Sequence, residues 1–189
     1  GGNRQLPFNE QQPVNHPVSL YAATKKANEL MAHTYSHLYG LPATGLRFFT
    51  VYGPWGRPDM AYYSFAKAIA AGEPIVLYDD GRLKRDFTYI DDIVAGVVGA
   101  LDRPPTDGPR ILNIGNHRAE EVRTLVALLE AGLGRKAIVR SAPRPAADVE
   151  ETFASVDAIS ALTGFAPSTP LSEGIQRFVA WFKDWHRIS

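Results

Sequence analysis

Helical patterns of apolar residues alternate along this 189-residue chain with short apolar runs of strand type. The clearest helical segments run from about Leu20 to Tyr39, from Ala61 to Ala71 and from Val122 to Leu133. Apolar runs without helical spacing, as at 43–49 and 111–114, stand between them. Strands that alternate with helices are typical of proteins built on a mostly parallel sheet. We therefore predict an α/β fold.

The ends of the longest helix are marked by residues that favour helix termini. Ser19 can accept a hydrogen bond from the first turn, and Gly40 can adopt the left-handed conformation that ends many helices. The turn-forming residues at 79–82 predict that the segment 85–89 pairs back on the run 75–78 as a hairpin. Further helices are predicted at about 92–101, 156–163 and 171–185, a strand at 137–140, and loops at 1–18, 50–59, 104–109 and 141–151.

The charge and cysteine content exclude several classes of protein. Lys and Arg together number 20, as do Asp and Glu, so no net charge draws the chain to nucleic acid or to an anionic membrane surface. The sequence has no cysteine, which excludes disulfides, a cysteine nucleophile and a thiolate metal site and favours a cytoplasmic location. No apolar stretch is long enough to cross a bilayer. Because the chain begins without a methionine, we expect it to be part of a longer protein.

A tyrosine and a lysine lie four residues apart at the start of the long helix. This spacing places Tyr21 and Lys25 on one helix face. An ammonium close to a phenol lowers the pKa of the phenol, so that a tyrosinate could take a proton from a hydroxyl group. The lysine could also hold the ribose of a nicotinamide cofactor. Taken alone, the pair is more typical of an exposed helix surface that has no catalytic role.

Three longer strings strengthen the catalytic interpretation. They read YAATKKANE at 21–29, LRFFTVYGP at 46–54 and RDFTYIDD at 85–92. In this order and spacing they resemble the extended short-chain dehydrogenase/reductases that act on nucleotide sugars. The intervening string WGRPDMA at 55–61 looks like the UDP-glucuronate 4-epimerase branch of that family. The resemblance extends over nearly the whole chain.

The resemblance implies a particular domain organisation. Residues 1–60 would form the end of a Rossmann-type NAD-binding domain whose first half is absent. Residues 61–189 would form mainly a small α/β domain that binds the nucleotide sugar, with segments that return to the Rossmann-type sheet. The 189 residues contain no glycine-rich strand–turn–helix fingerprint for a dinucleotide. We therefore expect other parts of the protein to supply the NAD loop.

The resemblance also implies catalytic and cofactor-binding roles. Tyr21 would be the catalytic acid and base, and Lys25 would tune its pKa and hold the nicotinamide ribose. Phe49 would lie beside the nicotinamide. Family members complete this site with a serine or threonine that precedes the tyrosine by many residues, in a region that these 189 residues do not include.

Five further residues would contact the substrate, if the resemblance holds residue by residue. Thr50 would contact the sugar or a phosphate, and Arg57 would face the sugar carboxylate. Tyr78 would pack near the uracil ring. Arg85 would hold the diphosphate, and Asp148 would bind the uridine ribose.

Each of these residues also has a simpler interpretation. Arg57 stands in a loop rich in glycine and proline, where it could be a solvated side chain. Arg85 could form an ion pair with Asp80 or Asp86, and Thr50 could be a hydroxyl at a turn.

Other polar residues are given structural roles. Asp91 and Asp92 are predicted to cap a helix. Asp148 follows an alanine, whereas family members have a glycine there, and this difference could change the path of the loop. His33 and His37 share a helix face but lack a carboxylate motif, so no metal site is predicted. Aromatic residues recur with helical spacing at 178–185 and are predicted to pack in a core or on a docking surface.

The function implied is 4-epimerisation of UDP-glucuronate to UDP-galacturonate with NAD. The sugar would be oxidised at C4, turned over as a 4-keto sugar and reduced from the other face. UDP-glucuronate decarboxylase, UDP-glucose 4-epimerase and nucleotide-sugar dehydratase remain enzymatic alternatives. A non-catalytic module that binds nucleotide sugars is an alternative of another class. The helix that carries Tyr21 resembles the helix through which the family forms homodimers, and the chain alone is expected to be inactive.

Overall fold

Helices and strands alternate throughout residues 2–145 and 149–188, the part of the chain that the computed structural model describes. The predicted α/β class is therefore confirmed. The helices are α1 (Leu20–Tyr39), α2 (Ala61–Ala71), α3 (Ile90–Leu101), α4 (Val122–Leu133), α5 (Asp157–Thr163) and α6 (Leu171–His186). The strands are β1 (Thr44–Phe48), β2 (Thr50–Tyr52), β3 (Pro74–Tyr78), β4 (Lys84–Arg85), β5 (Phe87–Tyr89), β6 (Arg110–Ile114), β7 (Glu120–Glu121) and β8 (Ile138–Ala142).

Most of the strand pairs are parallel and join segments far apart in sequence. β1 pairs with β6, β2 with β5 and β3 with β8, all in parallel, whereas the short strands β4 and β7 pair antiparallel. In the second of these pairs, Thr50 lies opposite Phe87. Parallel strands require a crossover connection, which the intervening helices provide. The register brings the segment after β1 next to the strand that follows Arg85.

Two sequence predictions about these strands are wrong. The segment 85–89 does not pair back on 75–78, because β3 pairs with β8 and β5 pairs with β2. The predicted loop at 50–59 begins with three residues of strand, β2. In both cases the apolar pattern indicates a strand, but a parallel partner more than 30 residues away leaves no local signal.

The predicted ends of α1 are confirmed. The Ser19 hydroxyl oxygen accepts a hydrogen bond from the backbone nitrogen of Ala22 at 3.1 Å. Gly40 has a φ angle of 62°, in the left-handed region. Together these residues fix where the helix begins and ends, and thereby place Tyr21 in its first turn.

The predicted caps of α3 are wrong. The helix begins at Ile90, so Asp91 and Asp92 lie inside its first turn, where carboxylates interact favourably with the helix dipole. One carboxylate oxygen of Asp92 instead accepts hydrogen bonds from the backbone nitrogens of Ser168 at 3.3 Å and Thr169 at 3.0 Å. This carboxylate therefore ties α3 to the segment before α6.

Two apolar clusters form the core. The larger cluster unites α2, α4 and α6 with β3, and its buried residues include Tyr62, Ile69, Leu125, Phe178 and Phe182. The predicted core role of the aromatic residues in the last helix is thus confirmed for Phe178 and Phe182, which are 0% and 1% exposed. The smaller cluster contains Ile93, Leu112, Ile114, Ala154, Val156, Ile159 and Phe165.

The long helix α1 packs little of its surface. Ser36 is its one buried residue, in a helix that the structure describes in full. Large apolar side chains remain exposed along it, among them Leu30, Met31, Tyr35 and Leu38, each more than half exposed. Among the described residues, no helix has both the length and the apolar character needed to cross a membrane.

Candidate active site

Tyr21 and Lys25 project together from the first turns of α1. The Lys25 ammonium nitrogen lies 5.4 Å from the centroid of the Tyr21 ring. The Tyr21 side chain is 70% exposed, so its phenol is open to a ligand. This arrangement places a positive charge beside a phenol that nothing in the core encloses. The helical spacing of Tyr21 and Lys25 thus places both side chains on one face of α1, as predicted.

A partly buried ion pair between Glu29 and Arg47 holds α1 against β1. Glu29 accepts hydrogen bonds from Arg47 Nε at 2.7 Å and Arg47 Nη2 at 3.0 Å, and from Lys26 Nζ at 3.2 Å. The hydrogen bond from Arg47 is the main cause that lowers the pKa of Glu29. Helical and strand spacing alone do not predict this contact, although Glu29 and Arg47 lie in the strings at 21–29 and 46–54. A bidentate arginine–carboxylate pair fixes orientation as well as distance.

Phe49 and Thr50 lie where β1 gives way to β2. The Phe49 backbone nitrogen donates to Ile114 O at 3.3 Å, and its ring centroid is 6.4 Å from that of Phe8. The Thr50 backbone nitrogen donates to Asp86 O at 3.0 Å. Both side chains are half-buried. They therefore sit at the carboxyl end of a parallel strand, where α/β proteins commonly bind ligands.

Arg57 stands in the loop between β2 and α2 and is paired with a neighbour. Its Nε donates to Asp59 Oδ1 at 3.0 Å and its Nη2 to Asp59 Oδ2 at 2.5 Å. The hydrogen bonds that Arg57 donates to the Asp59 carboxylate raise the pKa of Arg57. The arginine is not merely solvated, although its side chain is 73% exposed.

The same loop is anchored on the last helix through tryptophans. The Trp55 ring centroid lies 4.7 Å from that of Trp185 and 5.3 Å from that of Trp181. Trp55 has a φ angle of 62°, unusual for a residue with a side chain. Gly56 follows, and a Cβ atom there would lie 1.4 Å from the Tyr62 hydroxyl. Sequence spacing does not predict this contact, because it joins positions about 130 residues apart.

Tyr78 and Arg85 lie at the ends of the strands β3 and β4. Arg85 Nη1 donates to the backbone oxygens of Lys84 at 2.8 Å and Glu150 at 3.4 Å. Tyr78 ends β3 on its outward face and is 41% exposed. Asp148, the predicted ribose ligand, lies outside the described residues.

The two carboxylates considered as partners of Arg85 have partners of their own. Asp80 forms an ion pair with Arg82 at 3.4 Å. Asp86 is fully buried, and burial raises its pKa while four hydrogen bonds oppose that rise. Its Oδ1 accepts from Asn116 N at 2.6 Å and Thr88 Oγ1 at 3.1 Å, and its Oδ2 accepts from His117 N at 3.1 Å and Ala154 N at 3.0 Å.

Asp86 is a structural centre that was not predicted from the sequence. Its carboxylate joins the end of β6 to the segment before α5, directly beside Arg85 in sequence. A Cβ atom at Gly115 would lie 2.8 Å from Asp86 Oδ2, which explains the glycine there. The available signal was an acidic residue within an apolar strand segment, which calls for buried hydrogen-bond donors.

The histidines considered for metal binding are both exposed. His33 and His37 lie on the outer surface of α1. Within residues 2–145 and 149–188, no group of three or more His, Cys, Asp or Glu side chains is placed to hold a metal ion.

Parallel strand pairs with helices in the connections between them define a Rossmann-type α/β protein. The sequence model described as "NAD dependent epimerase/dehydratase family" matches residues 1–115. The chain belongs to this family. The prediction of the family is therefore confirmed, and NAD is the cofactor in the family's own description.

Relatives in sequence carry a consistent description. The chain is 46% identical over 204 residues to the probable UDP-glucuronate 4-epimerase of Rhizobium meliloti, an alignment that covers 99% of this chain and 60% of that protein. It is 47% identical over 201 residues to UDP-glucuronate 4-epimerase 5 of Arabidopsis thaliana, covering 98% of this chain and 46% of the relative. The chain thus spans only about half to three fifths of these relatives.

Solved structures agree with the sequence relatives. The UDP-glucuronic acid 4-epimerase of Bacillus cereus, in complex with UDP-glucuronic acid and NAD, matches with a TM-score of 0.89 and 30% identity, covering 97% of this chain and 58% of the other. The UDP-glucose 4-epimerase of Thermotoga maritima with UDP-glucose matches with a TM-score of 0.82 and 28% identity, covering 90% of this chain and 55% of the other. The predicted Rossmann-type architecture is confirmed.

Proposed function

We propose that this chain, joined to an NAD-binding half such as its longer relatives possess, interconverts UDP-glucuronate and UDP-galacturonate. The observation that carries the proposal is the exposed Tyr21–Lys25 pair, in which the Lys25 ammonium lies 5.4 Å from the centroid of the phenol ring. A phenol that exchanges protons and a cation that recognises a carboxylate are the two groups this reaction requires. The names of the relatives in Rhizobium and Bacillus support the same substrate.

The residues present fit a nicotinamide cofactor on one side. In the proposal, Lys25 donates to the hydroxyls of the nicotinamide ribose, and Phe49 lies against the nicotinamide ring. Lys25 can do so because its ammonium stands at the open end of α1. Phe49 is half-buried at the end of β1, so one part of its ring is held and the other can face a ligand.

The reaction follows from what these residues can do. NAD, when bound, would supply the hydride chemistry, taking the C4 hydrogen with its two electrons and later returning both to C4. Tyr21 takes the proton of the 4-hydroxyl as the C4–H bond breaks, which leaves a 4-keto sugar. After the sugar has turned over, Tyr21 returns the proton to the oxygen as C4 is reduced from the opposite face. The proton and electron counts balance, and NAD is regenerated in each cycle.

Arg57 would decide between epimerisation and loss of carbon dioxide. A 4-keto sugar acid is a β-keto acid, which decarboxylates when the bond to the carboxylate aligns with the π system of the ketone. A guanidinium that grips the carboxylate can hold that bond out of alignment. In the proposal Arg57 does this, and it also keeps the carboxylate bound while the sugar rotates.

The remaining assignments concern the nucleotide and the domains. We assign Thr50 to the sugar or a phosphate, Tyr78 to the uracil face, Arg85 to the diphosphate and Asp148 to the ribose. Residues 1–60 form the end of the NAD-binding domain, and 61–189 form mainly the nucleotide-sugar domain. The two apolar clusters support this division, since the smaller one unites β6 and α5 with residues before 60.

A homodimer through α1 is part of the proposal. The exposed apolar side chains of α1, such as Leu30, Met31 and Leu38, form a surface suited to a second helix. The proposal also places the reaction in the cytoplasm, which cell fractionation would test. We expect the 189-residue chain by itself to lack turnover, because it contributes neither a glycine-rich dinucleotide loop nor the third catalytic hydroxyl.

The experiment that tests the proposal is a product assay. The chain would be produced together with its amino-terminal half and incubated with UDP-glucuronate and NAD, and the sugar products would be identified by NMR. UDP-galacturonate is expected. UDP-xylose with carbon dioxide would establish a decarboxylase, and a 4-keto-6-deoxy sugar from a UDP- or dTDP-hexose would establish a dehydratase. Turnover of UDP-glucose alone would make the protein a UDP-glucose 4-epimerase, and binding without turnover would make it a non-catalytic module.

A further inference from the structure

The guanidinium of Arg57 can bind two carboxylates, one on each of its edges. An arginine side chain has five N–H donors arranged as two forks that share Nη2. Asp59 occupies the fork formed by Nε and Nη2, at 3.0 Å and 2.5 Å. The fork formed by Nη1 and the second N–H of Nη2 has the same shape and charge. A substrate carboxylate can therefore bind Arg57 without removing Asp59.

Asp59 is held in place by the local backbone. The nitrogen of Met60 donates to the Arg57 carbonyl oxygen at 3.2 Å, which closes a tight turn around Pro58. The proline ring fixes φ within that turn. Helix α2 begins at Ala61, immediately afterwards. The carboxylate of Asp59 thus projects from a rigid corner, whereas the Arg57 side chain without it would be a long, exposed and mobile group.

We propose that Asp59 is a positioning residue that holds the Arg57 guanidinium in the orientation that receives the substrate carboxylate. This inference rests on the proposed function, because it requires Arg57 to bind the glucuronate acid group. Immobilising a rotamer-rich side chain before binding removes an entropic cost that binding would otherwise include. Its loss corresponds to about a two- to tenfold weakening of affinity.

Two other roles for Asp59 would change ligand binding in other ways. If Asp59 were a competitor that the substrate must displace, its removal would tighten the binding of UDP-glucuronate. If it only maintained the loop, its removal would affect charged and neutral sugars alike. The comparison of an acidic ligand with a neutral one therefore separates positioning from both other roles.

The test is Asp59→Asn in the protein joined to its NAD-binding half, with NAD present. Dissociation constants would be measured by calorimetry for UDP-glucuronate and for UDP-glucose, which lacks the carboxylate. We expect about two- to tenfold weaker binding of UDP-glucuronate and unchanged binding of UDP-glucose. Asp102→Asn, an exposed carboxylate at the end of α3, is the matched control and should alter neither constant.

A second variant protects the test against misfolding. Pro58→Ala loosens the corner that carries Asp59 while keeping every charge. It should therefore weaken the binding of UDP-glucuronate, as Asp59→Asn does. Tighter or unchanged binding of UDP-glucuronate in Asp59→Asn would overturn the inference, as would equal weakening of both ligands. The proposed function is judged separately, since the wild-type product assay gives its result whatever Asp59 does.

Discussion

The Lys25 ammonium lies over the ring of Tyr21, 5.4 Å from its centroid, on the open face of the first two turns of α1. Such a contact stabilises an exposed pair by about 0.5–1 kcal/mol. Its main consequence is chemical, because it fixes a cation beside a phenol that a ligand can reach.

Tyr21→Phe is expected to abolish epimerisation while leaving ligand binding in place. The variant removes the oxygen that exchanges the proton, and general acid–base catalysis contributes about 10²–10⁴-fold to a rate. The measurement is turnover of UDP-glucuronate by the protein joined to its NAD-binding half. Tyr39→Phe, an exposed tyrosine at the other end of α1, serves as the control. Unchanged turnover in Tyr21→Phe would refute the assignment of the acid and base.

Glu29→Gln is expected to destabilise the fold by about 1–3 kcal/mol near neutral pH, because it breaks a charge-assisted pair with Arg47. The folded-state pKa of Glu29 is lowered, so its contribution is present above the ordinary glutamate pKa. That contribution is lost as the pH falls through the lowered value. Denaturant unfolding of wild type and variant should therefore converge in acid. A difference that persisted under strongly acidic conditions would contradict the explanation.

Asp86→Asn is expected to destabilise the protein by about 1–3 kcal/mol or more, because an amide nitrogen would face backbone N–H donors that now meet a carboxylate. Thermal unfolding measures this loss. In the wild type the pKa of Asp86 is raised, whereas the pKa of Glu29 is lowered, so the two groups change stability with pH in opposite directions. The folded state holds the Asp86 proton more tightly, so this group favours folding at low pH and loses that contribution as the pH rises through the raised value.

Trp185→Ala is expected to lower stability by about 0.5–1.5 kcal/mol beyond the loss of buried area, since it removes an aromatic contact with Trp55. It should also weaken the binding of UDP-glucuronate, because Trp55 lies in the loop that carries Arg57. Trp185→Phe retains an aromatic ring and should recover most of both losses. Full affinity in Trp185→Ala would show that the loop keeps its shape without the anchor.

Leu38→Glu is expected to convert a homodimer into monomers, because it places a charge on the exposed apolar surface of α1, where Leu38 is 62% exposed. Molar mass from light scattering on the protein joined to its NAD-binding half is the measurement. Asn28→Glu adds the same charge to an exposed position of α1 that is already polar, and is the comparison. A monomeric wild type would exclude this interface at once.

The sequence predicts local structure well where the cause is local. Ser19 and Gly40 define α1 through their own hydrogen bonding and backbone freedom, and Gly72 ends α2 in the same way. The pairing of β5 failed because its partner lies across a crossover, and apolar spacing carries no information about that partner. The caps assigned to Asp91 and Asp92 failed for a related reason. The backbone donors that occupy Asp92 come from a distant segment.

The candidate site shows the same division between local and distant causes. The Tyr21–Lys25 pair follows from helical spacing and could be read from the sequence. Asp59 lies in the string at 55–61, but its pairing with the Arg57 guanidinium depends on the turn around Pro58. The anchoring of Trp55 depends on the packing of the whole larger core, which brings α6 to the loop.

The edge-on packing of Trp55 against Trp185 predicts that α6 influences the proposed recognition of the sugar from a distance. Deleting the last turn of that helix would remove Trp185 and yet leave every proposed ligand-contacting side chain in the chain. Such a truncated protein is expected to discriminate less well between acidic and neutral hexoses.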